Sequence, residues 1–218
     1  MKIHDISIPI SLETPVWPGD EALKLNRVAK MEEGALYNMT EIACGVHMGT
    51  HVDAPYHFLQ EGSKIEKLDL NILVGEVQVI EIPFEDGLIT SNVIRKAGIF
   101  PGMKRVLFKT SNQERWKLAP KFQEDYVGVS IDGAEALVKM GIKLVGIDYL
   151  SMAPFTDSVS PHKILLGAGI ILLESLYLNE IKPGVYFLCS LPMNLVGAEG
   201  APSRSILIEM DHPGVINV

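Results

Sequence analysis

Cysteine, basic residues and long apolar runs are scarce in this sequence, and each scarcity excludes a class of protein. Cys44 and Cys189 are the only cysteines among 218 residues, which is too few for a four-thiolate zinc site and predicts a reduced, cytoplasmic protein. The formal net charge is −8, whereas nucleic-acid-binding proteins usually carry a basic face. The longest apolar run, at residues 164–173, is shorter than a membrane span and is broken by glycine. We therefore expect no nucleic-acid partner and no membrane partner.

Length and composition are those of an ordinary globular protein. Apolar residues make up 47% of the chain and charged residues 21%, close to the average for globular domains. No internal repeat or long linker divides the chain, so we expect a single domain over residues 1–218. Residues 1–5 lead directly into a strand-like pattern, and from this we expect no signal peptide.

The spacing of apolar residues predicts many strands and a few short helices. Alternation or short apolar runs predict strands at residues 2–10, 23–31, 37–46, 47–53, 76–82, 105–110, 126–131, 143–147, 170–173, 184–191 and 204–210. Helical spacing and capping residues predict helices at 90–96, 132–140 and 159–167, with irregular segments at 111–125 and 197–202. The order strand, helix, strand between 126 and 147 indicates a partly parallel sheet. Asp148 follows the last of these strands, where it is either a functional group or the cap of a turn.

One short segment contains three of the six histidines. In an extended strand His47, His51 and Asp53 would share one face, with Gly49 leaving a gap between them. Imidazole and carboxylate groups are good ligands for zinc or manganese, and His57 follows on a loop beside them. Burying such groups unpaired costs about 2–7 kcal/mol each. The clustering therefore favours a metal site over a set of hydrogen-bonded core histidines.

Three residues outside that segment are further candidates for a binding site. Trp17 lies in a proline-flanked loop, where it is either a packing lid over the core or an aromatic wall for a ligand. Glu174 follows an apolar run at 170–173, and His162 lies in the predicted helix before it. Spacing alone leaves His162 compatible with a solvated helix start and Glu174 with an ordinary surface carboxylate.

The pattern His-x-Gly-Thr-His-x-Asp-x-Pro-x-His-Phe at residues 47–58 resembles the signature of the cyclase-like metal-dependent hydrolases. That family includes bacterial kynurenine formamidase (arylformamidase) and isatin hydrolase. The resemblance extends over nearly the full chain, to the tryptophan loop at 15–20, the strand at 143–148, the later His162 and Glu174, and the segments 191–193 and 201–204. Residues 159–163, Val-Ser-Pro-His-Lys, depart from the Asp-Ala-His-His of the kynurenine formamidases. The difference leaves the metal ligands intact, so the resemblance bears more on the reaction chemistry than on the identity of the substrate.

The resemblance implies a fold, a metal centre and an assembly. The implied fold is α/β, a mixed, barrel-like sheet of the swivelling β/β/α type with short outer helices. Two zinc ions per subunit are implied, with manganese compatible with the same ligands. The matching ligands are His47, His51 and Asp53 for one ion, and Asp53, His162 and the bridging Glu174 for the other. His57 matches the acid/base histidine, Trp17 matches an aromatic contact to the substrate, and a homo-oligomer, a dimer or higher, is also implied.

The function implied by the resemblance is hydrolysis of the amide of a small aromatic formamide. N-formylkynurenine, cleaved to kynurenine and formate in the kynurenine pathway of tryptophan catabolism, is the best single substrate. A hydrolase of a cyclic amide, as in isatin hydrolase, is the alternative. A non-catalytic metal-binding or ligand-binding protein on the same scaffold is a third hypothesis. Structural zinc sites are usually closed and thiolate-rich, whereas this set has no cysteine and a spare histidine.

Overall fold

The computed structural model describes residues 1–83, 87–118 and 121–209. The strands are β1 (Lys2–Asp5), β2 (Lys24–Ala29), β3 (Met39–Ala43), β4 (His51–Asp53), β5 (Val74–Glu81), β6 (Leu88–Ile89), β7 (Arg105–Lys109), β8 (Gly128–Val129), β9 (Leu144–Ile147), β10 (Ile171–Glu174), β11 (Gly184–Pro192) and β12 (Gly200–Glu209). The helices are α1 (Leu70–Leu73), α2 (Ser91–Lys96), α3 (Gln113–Leu118), α4 (Ile131–Lys139) and α5 (Ser160–Gly167). None of the helices in these ranges is long and apolar enough to cross a membrane.

The main sheet closes on itself. Its strands lie in the order β1-β12-β11-β5-β7-β9-β10-β4, and β4 also pairs with β12. Strands β5, β7, β9 and β10 run parallel to one another, whereas the pairings made by β4, β11 and β12 are antiparallel. Seven strands, β4, β5, β7, β9, β10, β11 and β12, form the closed barrel, and β1 pairs with β12 outside this ring. Closure pairs backbone groups of β4 and β12 that an open sheet would leave at its edges. The expected mixed, barrel-like α/β fold with short helices is confirmed.

Both faces of the central parallel strands β7, β9 and β10 are buried, which explains their nearly continuous apolar runs. Leu107 packs in the cluster that receives side chains from all seven barrel strands and fills the interior. Its neighbours Val106 and Phe108 point the other way, into the layer formed with α2, α4 and α5. Gly146 is required between these layers, because a Cβ there would lie 2.4 Å from Leu107 Cδ2. Alternating side chains with two apolar faces are typical of parallel strands covered by helices.

The predicted helices at 90–96, 132–140 and 159–167 correspond to α2, α4 and α5, within one or two residues at each end. Side-chain caps set where two of them begin. The Thr90 side chain accepts a hydrogen bond from Val93 N–H at α2. Ser130 accepts one from Gly133 N–H at α4. Such caps satisfy backbone donors that the first helical turn leaves without partners.

Several predicted boundaries were wrong because tertiary pairing overrides local pattern. The predicted strand at 2–10 ends at Asp5 in the structure, and that at 126–131 is reduced to β8 because Ile131 starts α4. The segment 111–125 contains α3. The predicted loop at 197–202 already belongs to β12 from Gly200 onward, since residues 200–202 pair with β4. Met210, the last residue of the predicted strand at 204–210, lies outside the described residues.

The predicted strand at 47–53 was also wrong in its first half. Only His51–Asp53 is a strand, and residues 46–50 form a turn and bend. Gly49 has a φ of +64°, in the left-handed region that favours glycine and is incompatible with a strand. A regular alternation of side chains therefore cannot extend back to His47.

Strands β2 and β3 form a separate two-stranded hairpin outside the barrel. Gly34, with a φ of +92°, ends the turn between them. Leu25 and Ile42 pair across the hairpin, and their exposed fractions are 48% and 61%. Neither strand has a buried residue. The hairpin thus presents apolar side chains to solvent.

Candidate metal centre

Five predicted ligands converge at one buried place. Ligand atoms of His47, His51 and Asp53 lie within 4.8 Å of one another. Those of Asp53, His162 and Glu174 form a second group at the same limit. Asp53 belongs to both groups, so the arrangement suits two neighbouring cations that share a carboxylate.

Strand pairing places three of these side chains side by side. In the antiparallel pairing of β4 with β10, His51 lies opposite Glu174. Val52 and Leu173 point into the barrel interior, so the alternating side chains of His51, Asp53 and Glu174 project from the outer face. The first turn of α5 then brings His162 over this face.

His47 reaches the centre from the turn rather than from the strand. Its Nδ1 lies 2.9 Å from Asp53 Oδ1. The ring packs on Gly200, where a Cβ would lie only 2.9 Å from His47 Cε1. The expectation that His47 shares a strand face with His51 was therefore wrong, although the turn delivers it to the same place.

Main-chain carbonyls orient two of the histidine rings. His51 donates from Nδ1 to the Gly49 carbonyl at 2.8 Å, and His162 donates from Nδ1 to the Ser158 carbonyl at 2.8 Å. Each bond leaves Nε2 facing the centre. His162 Nε2 lies 3.1 Å from Glu174 Oε1, and His51 Nε2 lies 3.4 Å from Asp53 Oδ1. Fixing one ring nitrogen in this way is the usual second contact of a metal-binding histidine.

The donor set fits a divalent cation. Among the described residues, His51 Nε2 and Asp53 Oδ2 are buried atoms without a hydrogen-bond partner. Asp53 and Glu174 are buried carboxylates, and the ion pairs found for them within the described part of the chain involve only histidines. Buried charges left without full compensation are costly. Nitrogen and oxygen ligands of this kind suit zinc or manganese.

Electrostatics at the site favour positive charge. Burial opposes protonation of His47, but the Asp53 carboxylate outweighs it and raises the pKa of His47 to about 10. Burial likewise opposes ionisation of Asp53, yet His47 and the neighbouring imidazoles hold the pKa of that carboxyl well below its usual range. Without a metal the centre therefore holds protons, which a bound cation would displace.

His57 lies next to the centre but belongs to neither ligand group. It ends the short turn Pro55–His57, and its ring centroid lies 4.0 Å from that of His47. Burial lowers the pKa of His57, Asp53 opposes this, and His47 lowers it further. A neutral imidazole at neutral pH is the form that can accept a proton.

A cavity of about 350 Å³ opens onto these residues. Trp17, Phe58 and Leu150 provide apolar walls, and His57 and Glu199 provide polar groups. The Trp17 ring also packs against Phe122 and Phe155, with centroids 5.0 and 5.6 Å away. Trp17 therefore has both of the positions considered from the sequence, packed on an aromatic cluster and lining the cavity.

Sequence reasoning missed three contacts around the centre. The Phe58 ring stacks on His162 with centroids 4.5 Å apart, and Met152 N–H donates to Glu174 Oε1 at 2.6 Å. Glu199 Oε1 lies 3.7 Å from His47 Nε2, and this pairing lowers the pKa of Glu199 to about 2. A carboxylate directly before the Gly-Ala-Pro segment at 200–202 was the available signal for Glu199.

Asp148 organises turns rather than lining the cavity. Its fully buried carboxylate accepts hydrogen bonds from Thr110 N–H at 2.6 Å, Thr110 Oγ1 at 2.8 Å and Gln113 Nε2 at 2.7 Å. Gln113 Oε1 in turn accepts one from Leu178 N–H. Of the two roles considered from the sequence, the structure favours that of a cap joining the ends of barrel strands.

The chain matches a family model, described as "Putative cyclase", over residues 4–154. The chain belongs to the cyclase family. Within the curated proteins, "Cyclase-like protein 1" of Arabidopsis thaliana is 42% identical and covers 95% of this chain and 85% of its own. "Kynurenine formamidase" of Geobacillus thermodenitrificans is 37% identical over 94% of this chain and 97% of its own.

Solved structures of other proteins share the fold. A potential metal-dependent hydrolase with cyclase activity has a TM-score of 0.82 at 32% identity, covering 94% of this chain and 96% of that one. An isatin hydrolase bound to thioisatinate also has a TM-score of 0.82, at 20% identity and 94% and 91% coverage; at that identity the likeness concerns the fold. The kynurenine formamidase and the potential metal-dependent hydrolase, at 37% and 32% identity, support the coarse assignment of the chain as a metal-dependent hydrolase of this family.

Proposed function

We propose that this cyclase-family chain hydrolyses the amide of a small aromatic formamide, with N-formylkynurenine as the best single substrate. The observation that carries the proposal is His57, an imidazole beside two groups of metal-binding side chains that is a member of neither. The kynurenine formamidase relative supports the reaction class. This assignment would place the chain in the kynurenine pathway of tryptophan catabolism.

The residues present suit amide hydrolysis. Divalent cations held by the two ligand groups would polarise the amide carbonyl and lower the pKa of water toward neutrality. His57 is the group we expect to take the proton of the attacking water. It then returns that proton to the leaving nitrogen as the C–N bond breaks, giving an amine and formate. The lowered pKa of His57 keeps its ring neutral and ready to accept at neutral pH.

The cavity supports an aromatic substrate. Trp17 and Phe58 both line the cavity together with the polar groups, and aromatic groups prefer offset or edge contacts with such rings. A volume of about 350 Å³ is within the range of small-molecule sites. We propose two zinc ions per chain, with manganese as the alternative, because the ligands are nitrogen and oxygen atoms.

A substrate panel on the purified, metal-loaded chain tests the proposal. Metal content is measured first, and formate and amine release from N-formylkynurenine are then followed against ring opening of isatin. We expect metal to bind and N-formylkynurenine to be the faster substrate. Faster opening of isatin would favour the cyclic-amide alternative, which uses the same centre. Metal binding without hydrolysis of either compound would support a non-catalytic protein on this scaffold and overturn the proposed function.

We also propose a homo-oligomer, a dimer or higher, in a cytoplasmic setting. Support for assembly comes from the β2–β3 hairpin, because a two-stranded sheet without a packed face is marginal in water. Its exposed apolar residues, including Leu25 and Ile42, would be covered by a second copy. Support for the reducing setting comes from Cys44 and Cys189, which are both free thiols.

A further inference from the structure

The three histidines of the centre differ in what their second ring nitrogen meets. His51 and His162 turn Nδ1 toward main-chain carbonyls and present Nε2 to the centre. His47 has the opposite orientation, with Nδ1 at 2.9 Å from Asp53 Oδ1. Its Nε2 is a buried atom without a hydrogen-bond partner in the described ranges. The charged atom in front of it is Glu199 Oε1, at 3.7 Å.

Strand closure fixes Glu199 in this position. The Glu199 carbonyl accepts a hydrogen bond from Ala54 N–H at 2.8 Å, and the next residue, Gly200, pairs with Asp53. The His47 ring lies against that same Gly200. One backbone ladder therefore sets the positions of a shared metal ligand, of the surface that supports His47, and of the carboxylate facing His47 Nε2.

We propose that Glu199 is a positioning residue that accepts a hydrogen bond from His47 Nε2–H and so directs His47 Nδ1 to the metal. The inference rests on the proposed metal function of the centre. A carboxylate behind a histidine ligand fixes its tautomer and ring orientation and raises its basicity. Its removal typically lowers metal affinity by about 10–100-fold. Main-chain carbonyls do this for His51 and His162, and Glu199 does it for His47.

The role has a directional consequence. His47 belongs to the group with His51 and Asp53, and is absent from the group with His162 and Glu174. Loss of the Glu199 carboxylate should therefore lower the affinity for one cation per chain and leave the affinity for the other nearly unchanged. A general loss of negative charge around the cavity would instead lower the affinity for both cations.

The test compares Glu199→Ala, Glu199→Gln and a matched control, Asp20→Ala, which removes another carboxylate lining the same cavity. Zinc stoichiometry and affinity are measured by competition with a chromophoric chelator. We expect Glu199→Ala to lose about 10–100-fold in affinity for one ion. Glu199→Gln should lose less because its amide oxygen still accepts a hydrogen bond, and Asp20→Ala should bind both ions as the native chain does. Native affinities in Glu199→Ala, or an equal loss in Asp20→Ala, would overturn the role of Glu199.

A spectroscopic measurement separates this role from a merely structural one. Nitrogen NMR of the zinc-loaded native chain reports which imidazole nitrogens bear protons and which bind metal. We expect metal at Nδ1 and a proton at Nε2 of His47, and faster solvent exchange of that proton in Glu199→Ala. Ligation of His47 through Nε2 would overturn the assignment. A native chain that binds no metal would overturn the proposed function itself, a result distinct from either failure of Glu199.

Discussion

At the scale of single residues, the histidines around the cavity differ in what holds their rings. His51 and His162 are tethered through Nδ1 to main-chain carbonyls. His57 instead contacts its neighbours through ring faces and edges, with centroids 4.0 Å from His47 and 4.4 Å from Phe58. A tethered ring suits a ligand that must keep one geometry. A ring held by packing suits a group that exchanges protons.

Substitution of His57 should separate metal binding from turnover. We expect His57→Ala to keep its metal and to lose about 10²–10⁴-fold in kcat, the usual contribution of general acid–base catalysis. His51→Ala should lose metal, because a buried ligand nitrogen is removed. Metal content and initial rates on N-formylkynurenine are measured for both variants. Full activity in His57→Ala would refute the acid/base assignment.

Asp148 should make stability depend on pH. Burial, opposed by hydrogen bonds from Thr110 and Gln113, raises the pKa of Asp148 from 3.8 to about 6. The folded state then binds this proton more tightly than the unfolded chain, so the associated stability is complete below pH about 4 and is lost as pH rises through about 6. The difference corresponds to about 3 kcal/mol.

Urea unfolding of the native chain and of Asp148→Asn measures this contribution. The variant cannot titrate, and its amide presents hydrogens to donors such as Thr110 N–H, so we expect it to be less stable. The stability gap should be wider at pH 5 than at pH 8, because only the native chain loses the Asp148 contribution on deprotonation. A gap that is constant across this range would contradict the raised pKa.

At the scale of elements, local chemistry determined the helices better than it determined the metal-binding segment. The sequence predicts Thr90 or Ser91 as the cap of a helix, and Thr90 caps α2 in the structure. The segment before β4 could not be predicted, because Gly49 allows a left-handed bend that depends on contacts with distant chain. Ile10 is one such contact, since its Cγ1 lies 2.8 Å from where a Gly49 Cβ would be.

The ligand identities could nevertheless be predicted, because residue type restricts metal chemistry more than backbone conformation does. His47 was assigned to the centre through an incorrect strand and still lies beside Asp53. Glu199 could not be assigned in this way. Its place beside His47 depends on the pairing of β12 with β4, a contact between residues far apart in the chain.

The hairpin should control assembly. Leu25 and Ile42 lie directly opposite one another on one face of β2–β3, so we expect Leu25→Glu with Ile42→Glu to shift the chain from oligomer to monomer. Asn26→Lys, on the other face of the same strand, is the matched control and should leave the mass unchanged. Light scattering after size-exclusion chromatography gives the mass. A native chain that is already monomeric would refute the proposed oligomer.

At the scale of the whole molecule, the metal centre lies at the seam that closes the barrel. Strand β4 has only three residues, yet it pairs with β10 on one side and with β12 on the other. Two of those three residues, His51 and Asp53, face the centre, while Val52 packs into the interior. The shortest barrel strand thus both closes the barrel and supplies two of the candidate ligands. Binding of metal at the centre should therefore affect the stability of the entire fold.

Removal of metal should therefore lower thermal stability. A ligand at one hundred times its Kd stabilises the native state by about 2.7 kcal/mol, and for a chain of this size 1 kcal/mol shifts Tm by about 2–4 °C. We expect excess chelator to lower the Tm of the native chain by about 5–10 °C and added zinc to restore it. His51→Ala, which lacks a ligand of one of the two groups, should show a smaller fall in Tm on addition of chelator than the native chain does. If removal of the metal from the native chain left its Tm unchanged, the seam would be stable without the ion, and the prediction would fail; the proton that His47 holds through its raised pKa would then be a compensating charge for Asp53.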